Sequence, residues 1–438
     1  MGDKSFKQLG LNDLMVNVTE KLYFKTPTKI QQEAIPSVLH GKSIIGESQT
    51  GSGKTHAYLL PLLQQINETL NEVQIVITAP TRELAMQIFE EIKTITKLAS
   101  KEQTWISRLI VGGMDRERMI KQLERRPHLI VGTPGRILDM VDEGALSIFN
   151  ATSFVIDEAD LMLDFRFIDT IDALLVRCKK NIQISVFSAT IPQQLKPFLK
   201  KYLIHPVHIK IDNGLTPEQM EHRLIEKKHQ DIVKKILDIT GIIQPYVAIL
   251  FTNSKDMADE IGDRLQENGL NVGVLHGGLT SRERARMVKS IMQLRYQYIV
   301  ATDLASRGID IKGASHVINV ELPKEVEFYI HRVGRTARAG LSGTAISFYS
   351  EEDSSLIEQL EKKGISFIFS DIKNGEWLDA NRLNKRQLRK SKTTKLDQEA
   401  WKRVKKPKKV KPGYKKKMKQ QQEKIKSRLK RESRRKKK

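Results

Sequence analysis

The stretch GESQTGSGKT, Gly46–Thr55, has the residue types and spacing of a loop that binds phosphate groups. An apolar run, SIIG, precedes it and the apolar-rich segment HAYLLPLLQQI follows, so the expected order is strand, glycine-rich loop and helix. In this arrangement, backbone N–H groups and the helix N-terminus face the phosphates. Ser48 stands where the usual pattern has its first glycine, but its side chain is small. We therefore predict that Lys54 reaches the β and γ phosphates of a nucleotide and that the Thr55 hydroxyl binds Mg²⁺. The loop residues predicted to contact the nucleotide are Ser48, Gln49, Thr50, Gly51, Ser52, Gly53, Lys54 and Thr55.

A pair of carboxylates follows another apolar run further along the chain. In SFVIDEAD, Asp157 and Glu158 come directly after a predicted strand. A carboxylate at a strand end can hold hydrated Mg²⁺, and its neighbour can polarise an attacking water. Alone, this stretch would equally suit a solvated acidic turn. Together with the phosphate loop, it indicates a site of nucleotide hydrolysis.

The elements that must position these groups are short apolar runs separated by helical patterns. The runs are β-branched and continuous rather than alternating, which is typical of parallel strands buried on both faces by helices. We predict two α/β sheets, joined near HIKIDNGLTPEQMEHRL (208–224), where Asn213, Gly214 and Pro217 disfavour a helix. Because ligands of open α/β sheets bind at the carboxyl ends of the strands, the polar residues that follow each run are the candidates for function. The runs are SIIG, VQIVITA, RLIVGG, HLIVGT, SFVID and QISVFS in the first half, and YVAILFT, NVGVLHG, YIVATD, HVINV and TAISFYS in the second.

The net charge of +23 is concentrated at the C-terminal end of the chain. Residues 381–438 hold 28 of the 75 Lys and Arg but only 4 of the 52 Asp and Glu, a net charge of +24. This asymmetry indicates a polyanionic partner, usually nucleic acid. Apolar residues thin out beyond Trp377, so we expect a disordered tail. Trp401 and Tyr414 could stack on bases, although a non-specific polycation remains the alternative.

Composition also bears on the compartment. Cys178 is the only cysteine, so no intramolecular disulfide forms and a reducing, cytoplasmic location is expected. No apolar run approaches the roughly 20 residues of a membrane span, so none is expected. The first ten residues lack the apolar core of a signal peptide.

Two motifs, Asp157-Glu158-Ala159-Asp160 and Ser188-Ala189-Thr190, resemble those of the DEAD-box ATP-dependent RNA helicases of superfamily 2. About a dozen motifs in family order extend from Phe6 to Tyr349, and the tail stretch VKKPKKVKPGYKKKM resembles the bacterial cold-shock members. The resemblance implies an α/β fold of two tandem RecA-like parallel-sheet domains with a disordered basic C-terminal tail. We predict domain 1 over residues 1–210, a linker over 211–222, domain 2 over 223–376 and an RNA-binding tail over 377–438.

The resemblance implies which residues contact the base and the ribose of ATP. In YFKTPTKIQ, Gln31 would contact the adenine edge and Phe24 would stack on the base, although Tyr23 stands where the family usually has glycine. Asp310 would accept a hydrogen bond from the ribose hydroxyl. Ala337 replaces a common glycine beside the predicted arginine fingers.

The resemblance also assigns the catalytic and coupling groups. Lys54 would bind the phosphates, Asp157 would hold Mg²⁺ through water, and Glu158 would orient and deprotonate the attacking water. Arg335 and Arg338, in HRVGRTARAG, would act as arginine fingers on the γ-phosphoryl charge. The residues that would couple hydrolysis to strand separation are Asp160, Ser188, Thr190 and His331.

Other strand ends match the family's RNA motifs. Because these residue types contact phosphates and 2′-hydroxyls, RNA binding should be largely independent of sequence. Ser281 replaces a frequent glutamine in the second half, so one contact could be lost. The predicted RNA-binding residues are Arg82, Gly113, Thr133 and Arg136 in the first half, and Thr252, Arg284 and Thr302 in the second.

The function that the resemblance implies is local unwinding of short RNA duplexes, with ATP binding and hydrolysis linked to closure of two domains on RNA. A role in cold-shock response, ribosome assembly or RNA decay rests on the same resemblance, as do protein partners in RNA decay or ribosome assembly. A DNA helicase and a non-unwinding RNA clamp are the alternatives. The RNA-type motifs count against the first, and the intact Glu158 with both arginines counts against the second.

Overall fold

A computed structural model describes most of the chain up to Ala380. The described residues are 4–49, 51–211, 220–227, 231–303, 311, 314–336, 343–373, 375–380, 382, 404 and 425. Of the predicted site residues, Thr50, Asp310 and Arg338 lie outside them, as do Trp401 and Tyr414 of the tail. Both sheets described below belong to the compact unit that ends at Asp379.

The first sheet has seven strands, all parallel, in the order β3-β4-β2-β5-β6-β1-β7. Its strands are β1 (Ile44–Glu47), β2 (Ile75–Thr78), β3 (Ser107–Ile110), β4 (Leu129–Gly132), β5 (Ser153–Ile156), β6 (Gln183–Ser188) and β7 (Val207–Lys210). The helices of this part are α1 (Asp13–Lys21), α2 (Lys29–Leu39), α3 (Lys54–Gln64), α4 (Arg82–Leu98), α5 (Arg116–Leu123), α6 (Pro134–Asp142), α7 (Ala159–Asp164), α8 (Ile168–Val176) and α9 (Lys196–Tyr202), with short 3₁₀ turns at Lys7–Leu9 and Gln193–Leu195.

Both faces of this sheet are covered by apolar side chains. Val76 and Ile77 are neighbours in β2, yet they belong to two different buried clusters, because successive side chains of a strand point to opposite faces. One cluster includes side chains of α3 and α4, and the other includes side chains of α6 and α8. The prediction of parallel strands buried on both faces is confirmed.

The second sheet has eight strands in the order β10-β11-β9-β12-β13-β8-β14-β15. All its pairings are parallel except that of β14 with β15. Its strands are β8 (Met220–Glu226), β9 (Val247–Thr252), β10 (Val272–Leu275), β11 (Tyr298–Thr302), β12 (Ala314–Asn319), β13 (Gly343–Tyr349), β14 (Phe367–Lys373) and β15 (Glu376–Asp379). The described helices are α10 (Ile232–Ile242), α11 (Lys255–Glu267), α12 (Ser281–Met292), α13 (Val326–Val333) and α14 (Ser354–Lys362), with a 3₁₀ turn at Glu351–Asp353.

The fold class predicted from the sequence is therefore confirmed, and each of the eleven apolar runs overlaps a strand. Four strands lie outside those runs: β7, β8, β14 and β15. Their sequences mix charged and apolar residues, since each is only partly buried. Strand β8 begins at Met220, within the segment predicted as a linker, and the domain boundaries stay predictions.

Among the described residues, no helix has both the length and the apolar character needed to cross a lipid bilayer.

Candidate nucleotide and RNA site

The carboxyl edge of the first sheet carries two groups of predicted site residues, and strand order keeps them apart. The phosphate loop, the two carboxylates and the Ser188–Thr190 turn follow β1, β5 and β6, which are adjacent strands. Predicted RNA residues follow β2, β3 and β4, the other three adjacent strands. The boundary between β2 and β5 therefore separates a candidate nucleotide half of the edge from a candidate RNA half.

The phosphate loop is closed around the Lys54 side chain. Its ammonium donates hydrogen bonds to the carbonyl oxygens of Ser48, at 2.5 Å, and Gln49, at 3.3 Å. Gly51 and Gly53 have φ values of 80° and 94°, a left-handed conformation that favours glycine. Ser48 has no such requirement, and its buried hydroxyl lies 2.8 Å from that of Ser52. Serine is therefore compatible with the position where the usual pattern has glycine.

Gln31 lies against the same loop. Its amide nitrogen donates to the Gly53 carbonyl at 3.2 Å, and its amide oxygen accepts from the Thr28 N–H at 3.0 Å in a capping box at the start of α2. The close approach needs a glycine, because a Cβ on Gly53 would lie 2.6 Å from the Gln31 amide nitrogen. The structure thus brings the predicted adenine reader and the phosphate loop together.

The aromatic side chains near Gln31 differ in exposure. Phe24 is partly exposed and meets the edge of the His56 ring, with centroids 4.8 Å apart. Phe6 is buried in the core and lies 6.4 Å from Phe24 between centroids. Tyr23 has φ 59° and a side chain that is 90% exposed. The tyrosine therefore adopts the left-handed backbone conformation that glycine, the usual residue of the family here, adopts easily.

Asp157 and Glu158 are both buried at the end of β5. The two oxygens of the Asp157 carboxylate accept one hydrogen bond each, from the Glu158 N–H at 2.9 Å and from the Tyr58 hydroxyl at 2.9 Å. Burial, followed by the adjacent charge of Glu158, raises the pKa of Asp157 to about 6, while Lys54 opposes the rise. The two carboxylates therefore repel each other across a buried site.

Glu158 is strained and incompletely paired. It has φ 49° and ψ 57° at the start of α7, a conformation that non-glycine residues adopt at a cost of about 1–2 kcal/mol. Within the part of the chain that the structure describes, its Oε2 atom is buried without a hydrogen-bond partner. Such an atom suits a role in binding a water molecule.

These groups fit Mg²⁺. The ion prefers to keep several waters and to bind one or two carboxylates together with phosphate oxygens. Asp157 at the strand end and the Thr55 hydroxyl at the start of α3 are oxygen ligands of this kind. No cluster of three or more His, Cys, Asp or Glu that could hold a metal alone occurs among the described residues.

Asp160 connects the end of β5 to the end of β6. Its Oδ2 accepts from the N–H and hydroxyl of Thr190 at 3.1 and 3.2 Å, and its own N–H donates to the Ser188 hydroxyl at 3.1 Å. The same Oδ2 lies 3.4 Å from Nε2 of His331 on α13, next to the second sheet. Burial opposes ionisation, but the contact with His331, the charge of Lys54 and the Ser188 hydrogen bond hold the pKa of Asp160 well below its usual range. All four predicted coupling residues are therefore in contact.

The RNA half of the first sheet also assembles several predicted residues. Arg82 begins α4, and its guanidinium lies so close to Gly112 that an added Cβ would be 2.9 Å away. Gly113 has φ 84°. Thr133 begins α6 as its N-cap, and Arg136 in the first turn donates to Asp139 at 3.3 Å while its buried Nε has no hydrogen-bond partner in the described part of the chain.

The second sheet also carries predicted RNA residues at its strand ends. Thr252 and Thr302 are paired residues at the ends of the neighbouring strands β9 and β11. Thr252 is buried and its hydroxyl donates to the Ser254 carbonyl at 3.0 Å. Arg284, on α12 after β10, forms an ion pair with the buried carboxylate of Glu83 on α4, across the two sheets. Arg284, which was predicted only to contact RNA, thus joins α12 of the second part to α4 of the first part.

Arg335 is buried and lies two residues after the end of α13, the helix that carries His331. The preceding Arg332 is almost wholly buried, and its guanidinium donates to both oxygens of Asp303 and to the Asn319 side chain. These contacts fix the C-terminal end of α13.

Sequence reasoning missed Tyr58, Glu83 and Arg332. Arg332 and Glu83 lie inside recognised motifs, HRVGR and PTRELA, but each pairs with a residue far away in the sequence. Tyr58 follows Lys54 by four positions, which places both on one face of α3 and is the only local signal for its position.

Two comparisons by sequence relate the chain to known proteins. Residues 28–198 match the DEAD/DEAH box helicase family, and residues 228–340 match the helicase conserved C-terminal domain. The chain is 48% identical to the DEAD-box ATP-dependent RNA helicase CshB of Bacillus cereus, over 97% of this chain and 98% of that protein. It is 49% identical to the CshB of Bacillus subtilis, over 98% of both.

The fold is also similar to that of solved structures. Dbp5 of S. cerevisiae bound to RNA and ADP BeF3 is 30% identical, with a TM-score of 0.76, and the match covers 84% of this chain and 95% of that one. Mss116p bound to ssRNA and AMP-PNP is 25% identical, with a TM-score of 0.75, over 85% of this chain and 80% of that one.

Two parallel sheets that carry a phosphate loop, strand-end carboxylates and a second set of polar strand ends define a nucleotide-dependent helicase core of RecA-like type. The chain belongs to the DEAD-box ATP-dependent RNA helicase family, as its relatives over nearly its whole length establish. It is therefore an ATPase of the RNA helicase class, and the predictions of family, fold class and enzyme class are confirmed.

The strain at Glu158 leads to a prediction about stability. In the ligand-free protein, Glu158→Gly should be more stable than Glu158→Ala by about 1 kcal/mol, because both variants remove the charge beside Asp157 and only glycine relieves the left-handed backbone. Urea unfolding of the two variants measures the difference. Glycine is ordinarily the less stable of the pair, so a less stable Glu158→Gly would show that the backbone there is not strained.

Proposed function

We propose that this ATPase uses the binding of ATP and the release of nucleotide after hydrolysis to separate short RNA duplexes locally. The observation that carries the proposal is the contact of Asp160 with His331. This contact joins the candidate nucleotide half of the first sheet's edge to α13, the helix that precedes the predicted arginine fingers in the sequence. Both ATP and RNA would favour the arrangement in which this contact is made, so each ligand should increase affinity for the other.

ATP would be held by the loop and by two readers of the base. Lys54, now bonded to carbonyl oxygens of its own loop, would exchange those bonds for phosphate oxygens. Gln31 would keep its contact with Gly53 and present its second amide hydrogen to the adenine edge, beside Phe24. The ribose contact of Asp310 remains part of the proposal.

Hydrolysis would depend on the buried carboxylates. Glu158, whose Oε2 has no hydrogen-bond partner among the described residues, would accept the proton of the attacking water. Thr55 and Asp157 would hold Mg²⁺, which when bound neutralises charge on the phosphate oxygens. Arg335 and Arg338 would stabilise the transition state, and fingers of this type contribute on the order of 10³–10⁵ in rate.

RNA would lie along the other half of the edge. Arg82, Arg136 and Arg284 offer guanidinium groups to backbone phosphates, and the N-caps and glycine N–H groups approach the sugars. The pairing of Arg284 with Glu83 supports a second role for this arginine in holding the two sheets together. The basic tail would add affinity without sequence selection. A cytoplasmic location is part of the same proposal, in line with a single, buried cysteine.

The ATPase proposal predicts the effect of removing one proton acceptor. Glu158→Gln should bind ATP as the wild type does but lower kcat by on the order of 10²-fold or more, because the water loses its base. Lys54→Ala is the matched variant that should instead impair nucleotide binding. Steady-state ATPase and nucleotide titrations separate the two effects, each assayed with RNA, with DNA and with neither. Unchanged turnover in Glu158→Gln would remove this residue from the mechanism, and equal stimulation by DNA would favour a helicase without RNA preference.

The division of charge predicts separate roles for tail and body. A chain that ends at Ala380 should bind RNA more weakly and with a shallower dependence on salt, since each neutralised phosphate of a single strand contributes a slope of about −0.7. Its kcat at saturating RNA should stay close to that of the full chain, because Lys54, Glu158 and Arg335 remain. RNA titrations at several salt concentrations measure the first effect. An unchanged salt slope would show that the tail is no RNA tether, and loss of kcat would show that it belongs to the motor.

A further inference from the structure

Tyr58 is a fully buried tyrosine whose hydroxyl contacts a residue of the candidate metal site. It lies on α3 four residues after Lys54, so both side chains are on one face of the helix. A buried phenol needs a hydrogen-bond partner, whereas a phenylalanine would fill the same space without one. The hydroxyl therefore calls for an explanation that core packing does not supply.

The partner of that hydroxyl is a predicted metal-holding group. The Tyr58 Oη donates to Oδ2 of Asp157 at 2.9 Å. Thr55 and Asp157 are the two residues that would hold Mg²⁺, and they come from separate elements, α3 and the end of β5. The Tyr58 hydroxyl thus links α3, the helix that carries Thr55, to the carboxylate of Asp157.

The ring that carries the hydroxyl is itself fixed. It contacts Phe187 of β6, with centroids 5.2 Å apart. Phe187 in turn lies so close to Gly46 of β1 that an added Cβ would be 2.7 Å from its ring. Because three elements set the ring position, the hydroxyl has little freedom and can hold the Asp157 carboxylate in one orientation.

We propose that Tyr58 is a positioning residue for Mg²⁺: its hydroxyl orients Asp157 so that the carboxylate faces the metal that accompanies ATP. This inference rests on the proposed function of the site. Each carboxylate oxygen of Asp157 has a further lone pair, so the hydrogen bonds from Tyr58 and from the Glu158 N–H orient the group without using up its capacity to bind hydrated metal. Partners of this kind typically change metal affinity or activity by 10–100-fold when they are removed.

The test is Tyr58→Phe, which retains the ring and removes only the hydroxyl. The matched control is Tyr202→Phe, because the Tyr202 hydroxyl also donates to an aspartate, Asp172 Oδ1 at 2.7 Å, on helices α9 and α8. Binding of a fluorescent ADP analogue is titrated in EDTA and then at increasing Mg²⁺, and ATPase with RNA is measured over the same range of Mg²⁺.

For Tyr58→Phe we expect the Mg²⁺ concentration for half-maximal effect to rise on the order of 10-fold in both assays. ADP affinity in EDTA should be unchanged, and kcat should recover at saturating Mg²⁺. Tyr202→Phe should match the wild type throughout.

Two results would overturn the inference. The first is an unchanged Mg²⁺ requirement in Tyr58→Phe. The second is an equal loss of ADP affinity with and without Mg²⁺, which would indicate a purely structural role. Failure of the proposed function is distinguishable, because the wild type itself would then show no Mg²⁺-dependent ATPase.

Discussion

A buried carboxylate, Asp160, is the constraint on which the site depends. Removing a charge from water costs several kcal/mol unless hydrogen bonds and opposite charge replace the solvent. Asp160 is 4% exposed, and Thr190, the Leu161 N–H and His331 surround its two oxygens. These groups come from the ends of two strands of one sheet and from a helix of the other part. A rearrangement that separates the two sheets must therefore leave part of this charge without its partners.

Sheet topology explains why a local contact of this kind can link two ligands. Parallel strands bring all their carboxyl ends to one edge, and the strand order of the first sheet puts the predicted nucleotide residues and the predicted RNA residues on adjacent halves of that edge. The Ser48 N–H donates to the Ser188 carbonyl at 3.1 Å, so the phosphate loop is tied to the strand end that Asp160 also contacts. On the RNA half, Glu83 at the start of α4 pairs with Arg284 of the second part. The described residues thus include a contact between the two parts on each half of the edge.

The sequence was sufficient to predict groups whose chemistry depends on local spacing. The phosphate loop, the strand-end carboxylates and eleven strands followed from residue type and order, because loop and strand geometry are local. Tyr23 departs from the family pattern, yet its φ of 59° shows that the backbone accommodates it.

Interactions between distant residues could not be predicted in this way. Arg284 and Glu83 are 201 positions apart in the sequence, and Tyr58 and Asp157 are 99 positions apart. The hydrophobic periodicity of the sequence predicts neither pair. Strands β7, β8, β14 and β15 escaped prediction for a related reason, since partial burial allows polar residues that weaken the apolar signal.

In the proposed function, Asp160 links nucleotide binding to RNA binding through His331. The direct measurement is the affinity for a single-stranded RNA with and without a non-hydrolysable ATP analogue, in the wild type, in Asp160→Asn and in the control Asp172→Asn. We expect the analogue to tighten RNA binding by a factor within the usual range of about 5–150 in the wild type and in the control, and by a factor near one in Asp160→Asn. A folded Asp160→Asn variant that retains the full factor would contradict the account.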